Sequence, residues 1–85
     1  MQTELKNDRE LLSQSEIKLP DGSRLLIEIL KEGENSIIVG QFYFSKDGDK
    51  LLARQWCGYC SGKLIGCVDC SNFHLDCVNE TISCY

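Results

Sequence analysis

The stretch Ser23-Arg24-Leu25-Leu26-Ile27-Glu28-Ile29-Leu30-Lys31, the break Glu32-Gly33-Glu34-Asn35 and the stretch Ser36-Ile37-Ile38-Val39-Gly40-Gln41-Phe42-Tyr43-Phe44-Ser45 decide the fold. Each run alternates with a period of two, as strand side chains do when they point in turn to the two faces of a sheet. Leu25, Ile27 and Ile29 share one face of the first run, and Leu26, Glu28 and Leu30 the other. In the second run Ile37, Val39, Gln41 and Tyr43 oppose Ile38, Gly40, Phe42 and Phe44. A parallel crossover needs about a dozen residues or more, so the short break between the runs makes them antiparallel neighbours.

Outward from this hairpin the pattern repeats. Ile17 and Leu19 lead into Pro20-Asp21-Gly22, a turn in which Pro fixes φ and Gly accepts a positive φ. The second run stops at Lys46-Asp47-Gly48-Asp49, and a last strand is expected over about Lys50 to Trp56. Residues 16–56 therefore read as an antiparallel meander of three or four strands. Both faces of its central strands are largely apolar, so something must cover the sheet.

Two segments are available as cover. In residues 3–14, Leu5 and Leu12 stand seven apart and Thr3 is placed to cap a helix beginning at Glu4, so residues 1–15 are predicted as a short helix or arm. On the other side lie residues 57–85, led by Trp56. The expected fold class is α+β, mainly β: a small antiparallel meander with a short N-terminal helix and a Cys-rich, metal-stapled C-terminal lobe.

The staple is expected on grounds of size. A single core in 85 residues is marginally stable unless something adds to it. All six cysteines fall after residue 56, at 57, 60, 67, 70, 77 and 84. Cys57/Cys60 and Cys67/Cys70 are C-x-x-C pairs, and His74/Cys77 repeats the spacing. A tight turn holding two thiolates can present both to one tetrahedral ion, with Zn–S near ~2.3 Å, and structural zinc binds with roughly 10–16 kcal/mol in peptide models. The predicted ligand set for Zn2+ is Cys57, Cys60, Cys67 and Cys70, with His74, Cys77 and Cys84 as alternative donors; Gly58, Gly62 and Gly66 fit turns of such a site.

The same residues admit other chemistry. Six cysteines also allow three disulfides in any of 15 connectivities, and Asn79-Glu80-Thr81 forms a glycosylation sequon. The spacing C-x2-C-x6-C of Cys57, Cys60 and Cys67 resembles the first half of the fungal binuclear zinc cluster family, but no C-x-x-C follows Cys70 and the basic residues used there on DNA are missing. Trp56-Cys57-Gly58-Tyr59-Cys60 resembles the W-C-G-x-C segment of thioredoxin-like oxidoreductases, which implies Cys57 as attacking thiolate and Cys60 as resolving thiol. Ser61, Ser71, Thr81 and Ser83 among the cysteines, after an acidic leader, resemble in composition the precursor peptides whose Cys-rich cores receive thioether rings. No hydrolytic constellation, G-x-S-x-G elbow or phosphate-cradling glycine loop is present in the sequence.

Charge narrows the partners. Nine Lys and Arg stand against thirteen Asp and Glu, a net charge of −4, with no basic island in either part of the chain. Such a surface disfavours DNA, RNA and anionic membrane and is compatible with a basic protein partner. No uninterrupted apolar run exceeds three residues, where a membrane-spanning helix needs about 20. The segment Met1–Glu10 lacks the apolar core of a secretory signal, so a cytoplasmic location is expected. The function expected from the sequence is that of a small zinc-stabilised, non-catalytic protein-binding module, an adaptor, regulator or inhibitor, monomeric or homodimeric. Its contact surface is expected at the sheet edge or around Trp56, Tyr59 and Tyr43.

Overall fold

The computed structural model describes residues 9–47 and 50–85. They form seven strands: β1 (Glu10–Lys18), β2 (Arg24–Gly33), β3 (Ser36–Phe44), β4 (Leu51–Cys60), β5 (Lys63–Val68), β6 (Phe73–Asp76) and β7 (Thr81–Cys84). Strands β1 to β5 make one antiparallel sheet in sequence order, and β6 and β7 make a separate two-stranded hairpin.

The meander follows the alternation read from the sequence. Leu30 pairs with Ile38 and Ile29 with Val39, so the two apolar sets of β2 meet those of β3 without crossing faces. At the β1–β2 turn the Leu19 carbonyl accepts from the Gly22 amide, and the Asp21 carboxylate accepts from the Ser23 amide and hydroxyl. This Asx-type closure fixes where β2 begins, and hence its register against both neighbours.

The predicted N-terminal helix is not seen. Residues 10–14 belong to β1, and residues 3–8 of that prediction lie outside the described residues. Leu11 pairs with Leu30 and Ile17 with Leu25, so the open edge of β2 takes up this segment as a strand. A helix with so thin an apolar stripe has little packing to set against a sheet ladder. The expected three or four strands become five because β4 runs on through Trp56 to Cys60 and β5 returns beside it.

Taking Ile38 as reference, the register divides the sheet into two faces. Leu11, Leu30, Ile38, Gly58 and Gly66 are aligned across the strands on what we term the inner face. The β6–β7 hairpin lies over this face and delivers Phe73 and Leu75, which with Ile38 form the buried core. Leu30, Trp56, Cys60, Ile65, Val68 and Ile82 pack around them. Burying each such large side chain contributes about 1.5–3 kcal/mol, enough for three to anchor a small lobe but not a whole sheet.

Two glycines permit the close approach. A Cβ on Gly58 would stand 2.7 Å from Leu75 Cδ1, and one on Gly40 would stand 2.7 Å from Trp56 Cζ3. Gly58 clears room for the hairpin, and Gly40 lets the indole lie flat on the sheet. Trp56 is held there by an edge-on contact with Phe42 at 5.1 Å between ring centroids and a tilted one with Phe73 at 5.6 Å. Arg9, ion-paired with Glu32, places its guanidinium 4.5 Å from the centre of the Phe73 ring.

Candidate functional site

The cysteines do not make the zinc site expected of them. All six are paired as disulfides: Cys57–Cys67, Cys60–Cys77 and Cys70–Cys84. Among the described residues no group of three or more His, Cys, Asp or Glu is arranged to hold a metal ion. Neither the predicted ligand set Cys57, Cys60, Cys67 and Cys70 nor the alternatives His74, Cys77 and Cys84 form a site for the expected Zn2+.

The reason lies in β4. The C-x-x-C pair sits on an extended strand rather than in a knuckle turn, and residues three apart on a strand leave opposite faces. Cys57, aligned with Val39, points to the outer face; Cys60, aligned with Ser36, points inward. The two sulfurs therefore cannot chelate one ion, nor can they pair as the thioredoxin-like resemblance implies. Cys57 is also 4% exposed and sits in a strand, without the helix N-terminus that lowers an attacking thiol's pKa. His74 lies on β6 between buried Phe73 and Leu75 and is exposed, so it faces away from the core and the cystines it contains.

Each bridge has a separate mechanical role. Cys57–Cys67 joins directly paired residues of β4 and β5 and stiffens the end of the sheet. Cys60–Cys77 ties the end of β4 to the turn that follows β6. Cys70–Cys84 closes the lobe on itself, from the approach to β6 to the end of β7. The tip between β6 and β7 is ordered by Asp76, whose carboxylate accepts from the Val78 and Asn79 amides and from the Asn79 side chain. Those bonds, the Asn79 side chain first, hold the Asp76 carboxyl below its ordinary 3.8.

The remaining candidates, Trp56, Tyr59 and Tyr43, are separated by the fold. Trp56 is on the inner face, packed into the seam between sheet and lobe. Tyr43, aligned with Leu25 and Ala53, and Tyr59, aligned with Ile37, are on the outer face. Each lines a shallow depression there. One of about 300 Å³ is bounded by Leu25, Gln41, Tyr43, Ala53, Arg54 and Gln55, and another of about 500 Å³ by Leu12, Lys31, Glu34, Ile37 and Tyr59 with the turn at Ser61.

Between these depressions runs a surface the candidate residues did not name. Ile27, Ile29, Ile37 and Val39 lie side by side on the outer face and are only half-buried, with shielding from their own strand neighbours. None of them belongs to the core or packs against it. Charge is sparse at the centre of this face: Glu16 and Glu28 are inner-face residues bonded to Arg24 and Gln14, Glu10 is aligned with Lys31 at one corner of the outer face, and Arg54 and Glu34 line the two depressions. The alternation had marked both faces as needing cover, and the β6–β7 hairpin covers part of one.

Comparison with protein-family models, with curated proteins and with solved structures finds no match for this chain.

Proposed function

We propose that this protein is a disulfide-stabilised, non-catalytic binding module that works in an oxidising compartment and meets a protein partner across the outer face of its sheet. One observation carries the reading: the bridges use up every cysteine of the chain, so the residues with the most chemistry in the sequence serve as scaffold. Disulfides persist in oxidising surroundings and are rare in reducing cytosol, so this reading departs from the cytoplasmic expectation. The apolar run from Leu25 to Val39, with a tyrosine at either end, supplies the kind of desolvatable patch on which protein contacts are built.

Two measurements test the reading. Intact mass after alkylation without reductant should show no added alkyl group and a deficit of two hydrogens per bridge; protein isolated from its source that alkylates fully overturns the scaffold. Benzoylphenylalanine in place of Tyr43 or Tyr59 should crosslink to a protein in the source compartment, while the same probe at Leu52, exposed beyond the depressions, should not. Equal yields from all three positions overturn the choice of face.

A further inference from the structure

We infer that the outer face packs on the same face of a second copy of this chain, giving a two-layer sandwich in which each sheet covers the other. The inference rests on the proposed binding face and names its occupant.

Size is the first argument. Five strands at about 4.8 Å spacing and up to ten residues of about 3.3 Å each make a face of roughly 600 Å². Two such faces remove on the order of 1,200 Å² from water, the lower end of what a stable, specific interface needs. An equal sheet at about 10 Å is the partner that fills a sheet face completely, and the twist of each sets the strands roughly 30° apart.

Charge is the second argument. An isologous contact places like residues near their copies, so a face bearing one sign of charge repels itself. This face has an interior of Ile27, Ile29, Val39, Gln41 and Gln55, with Glu10 beside Lys31 at one corner and two charges of opposite sign, Glu34 and Arg54, at its two depressions, so it carries no excess of one sign. The ion pair Arg24–Glu16 and the bond from Gln14 to Glu28 all lie on the opposite face, which stays in water in such a dimer. The rival contact, edge to edge along β1, is blunted: the register shifts between Leu11 and Ser13, and Glu10, Glu16 and Lys18 punctuate the strand.

Sedimentation equilibrium of the oxidised protein tests the inference. The wild type is expected to be a dimer at micromolar concentration. Val39→Lys, at the centre of the face, should weaken it by at least roughly 100-fold, because each copy then buries an unpaired charge. Gln41→Lys exchanges one polar side chain for another and should weaken it in the same direction, which keeps the test decisive if Val39→Lys fails to fold. Leu51→Lys, exposed and aligned with Phe44 on the other face, should leave the dimer unchanged. A wild type that stays monomeric at about 200 μM, or a dimer that survives Gln41→Lys, overturns the inference. If the wild type is monomeric while the probe at Tyr43 still crosslinks to a different protein, the binding face stands and only its occupant was wrong. If the probe captures nothing either, both readings fall.

Discussion

In the centre of the sheet, β2, β3 and the first half of β4 are held by ladders of nine pairs, with register shifts only near the strand ends, and by half-buried aliphatic side chains, with no covalent tie. From Cys57 onward the strands shorten to six and then four residues, and each contains or directly adjoins a half-cystine. A long strand gathers enough cross-strand pairs to define itself, whereas an isolated short hairpin is marginal in water. The lobe is therefore fixed by bonds that raise the free energy of its unfolded forms, and by Phe73 and Leu75 pressed onto Ile38 of the sheet.

The contrast is most sharply broken at the contact between the two regions. Phe73→Ala should destabilise the protein by about 3–5 kcal/mol in urea unfolding, because it empties the space between Trp56, Ile38 and Leu75. Replacing Cys60 and Cys77 together by Ser opens a bridge spanning 17 residues and should cost about 3 kcal/mol. Hydrogen exchange on that variant sharpens the comparison: β6 and β7 should lose protection while β2 and β3 keep theirs. Equal loss everywhere would mean a single cooperative unit.

Smaller effects probe how closely the regions fit. Gly58→Ala puts a methyl group against Leu75 and should cost about 1–3 kcal/mol, read from the shift in the urea midpoint. The least effect belongs to the far turn. Hydrogen bonds from the Ser23 hydroxyl and amide hold the Asp21 carboxyl below its ordinary 3.8, so the native state favours the ionised form. The resulting stabilisation is fully present above the ordinary carboxylate range and is lost as pH falls through the native value. Asp21→Asn should remove that part of the acid sensitivity, seen as a flatter dependence of the urea midpoint on pH below about 4.

Much of the meander was legible because alternation reports a face directly. Leu25, Ile27 and Ile29 had to share a side, and Pro20-Asp21-Gly22 had to turn, whatever lay elsewhere in the chain. Residues 10–14 were misread because their local pattern is weak and their conformation is set by a partner distant in sequence, the open edge of β2. The cysteines were misread for a different reason. C-x-x-C signals a metal knuckle when it lies in a turn, and nothing in the two intervening residues, Gly58 and Tyr59, says that β4 carries Cys57 and Cys60 as an extended strand. Gly58, taken as part of a knuckle, makes room for Leu75 instead. The need for cover on both sheet faces was readable; which face the tail would take depended on disulfide connectivity, which sequence alone leaves open.

Trp56 is the only tryptophan of the chain, and it lies on the inner face against the same core on which the half-cystines Cys60 and Cys70 pack. Its emission is thus an internal gauge. A nearby disulfide drains the excited indole, so the oxidised fold should be dim, and gentle reduction should brighten it before any red shift announces that water has reached the ring.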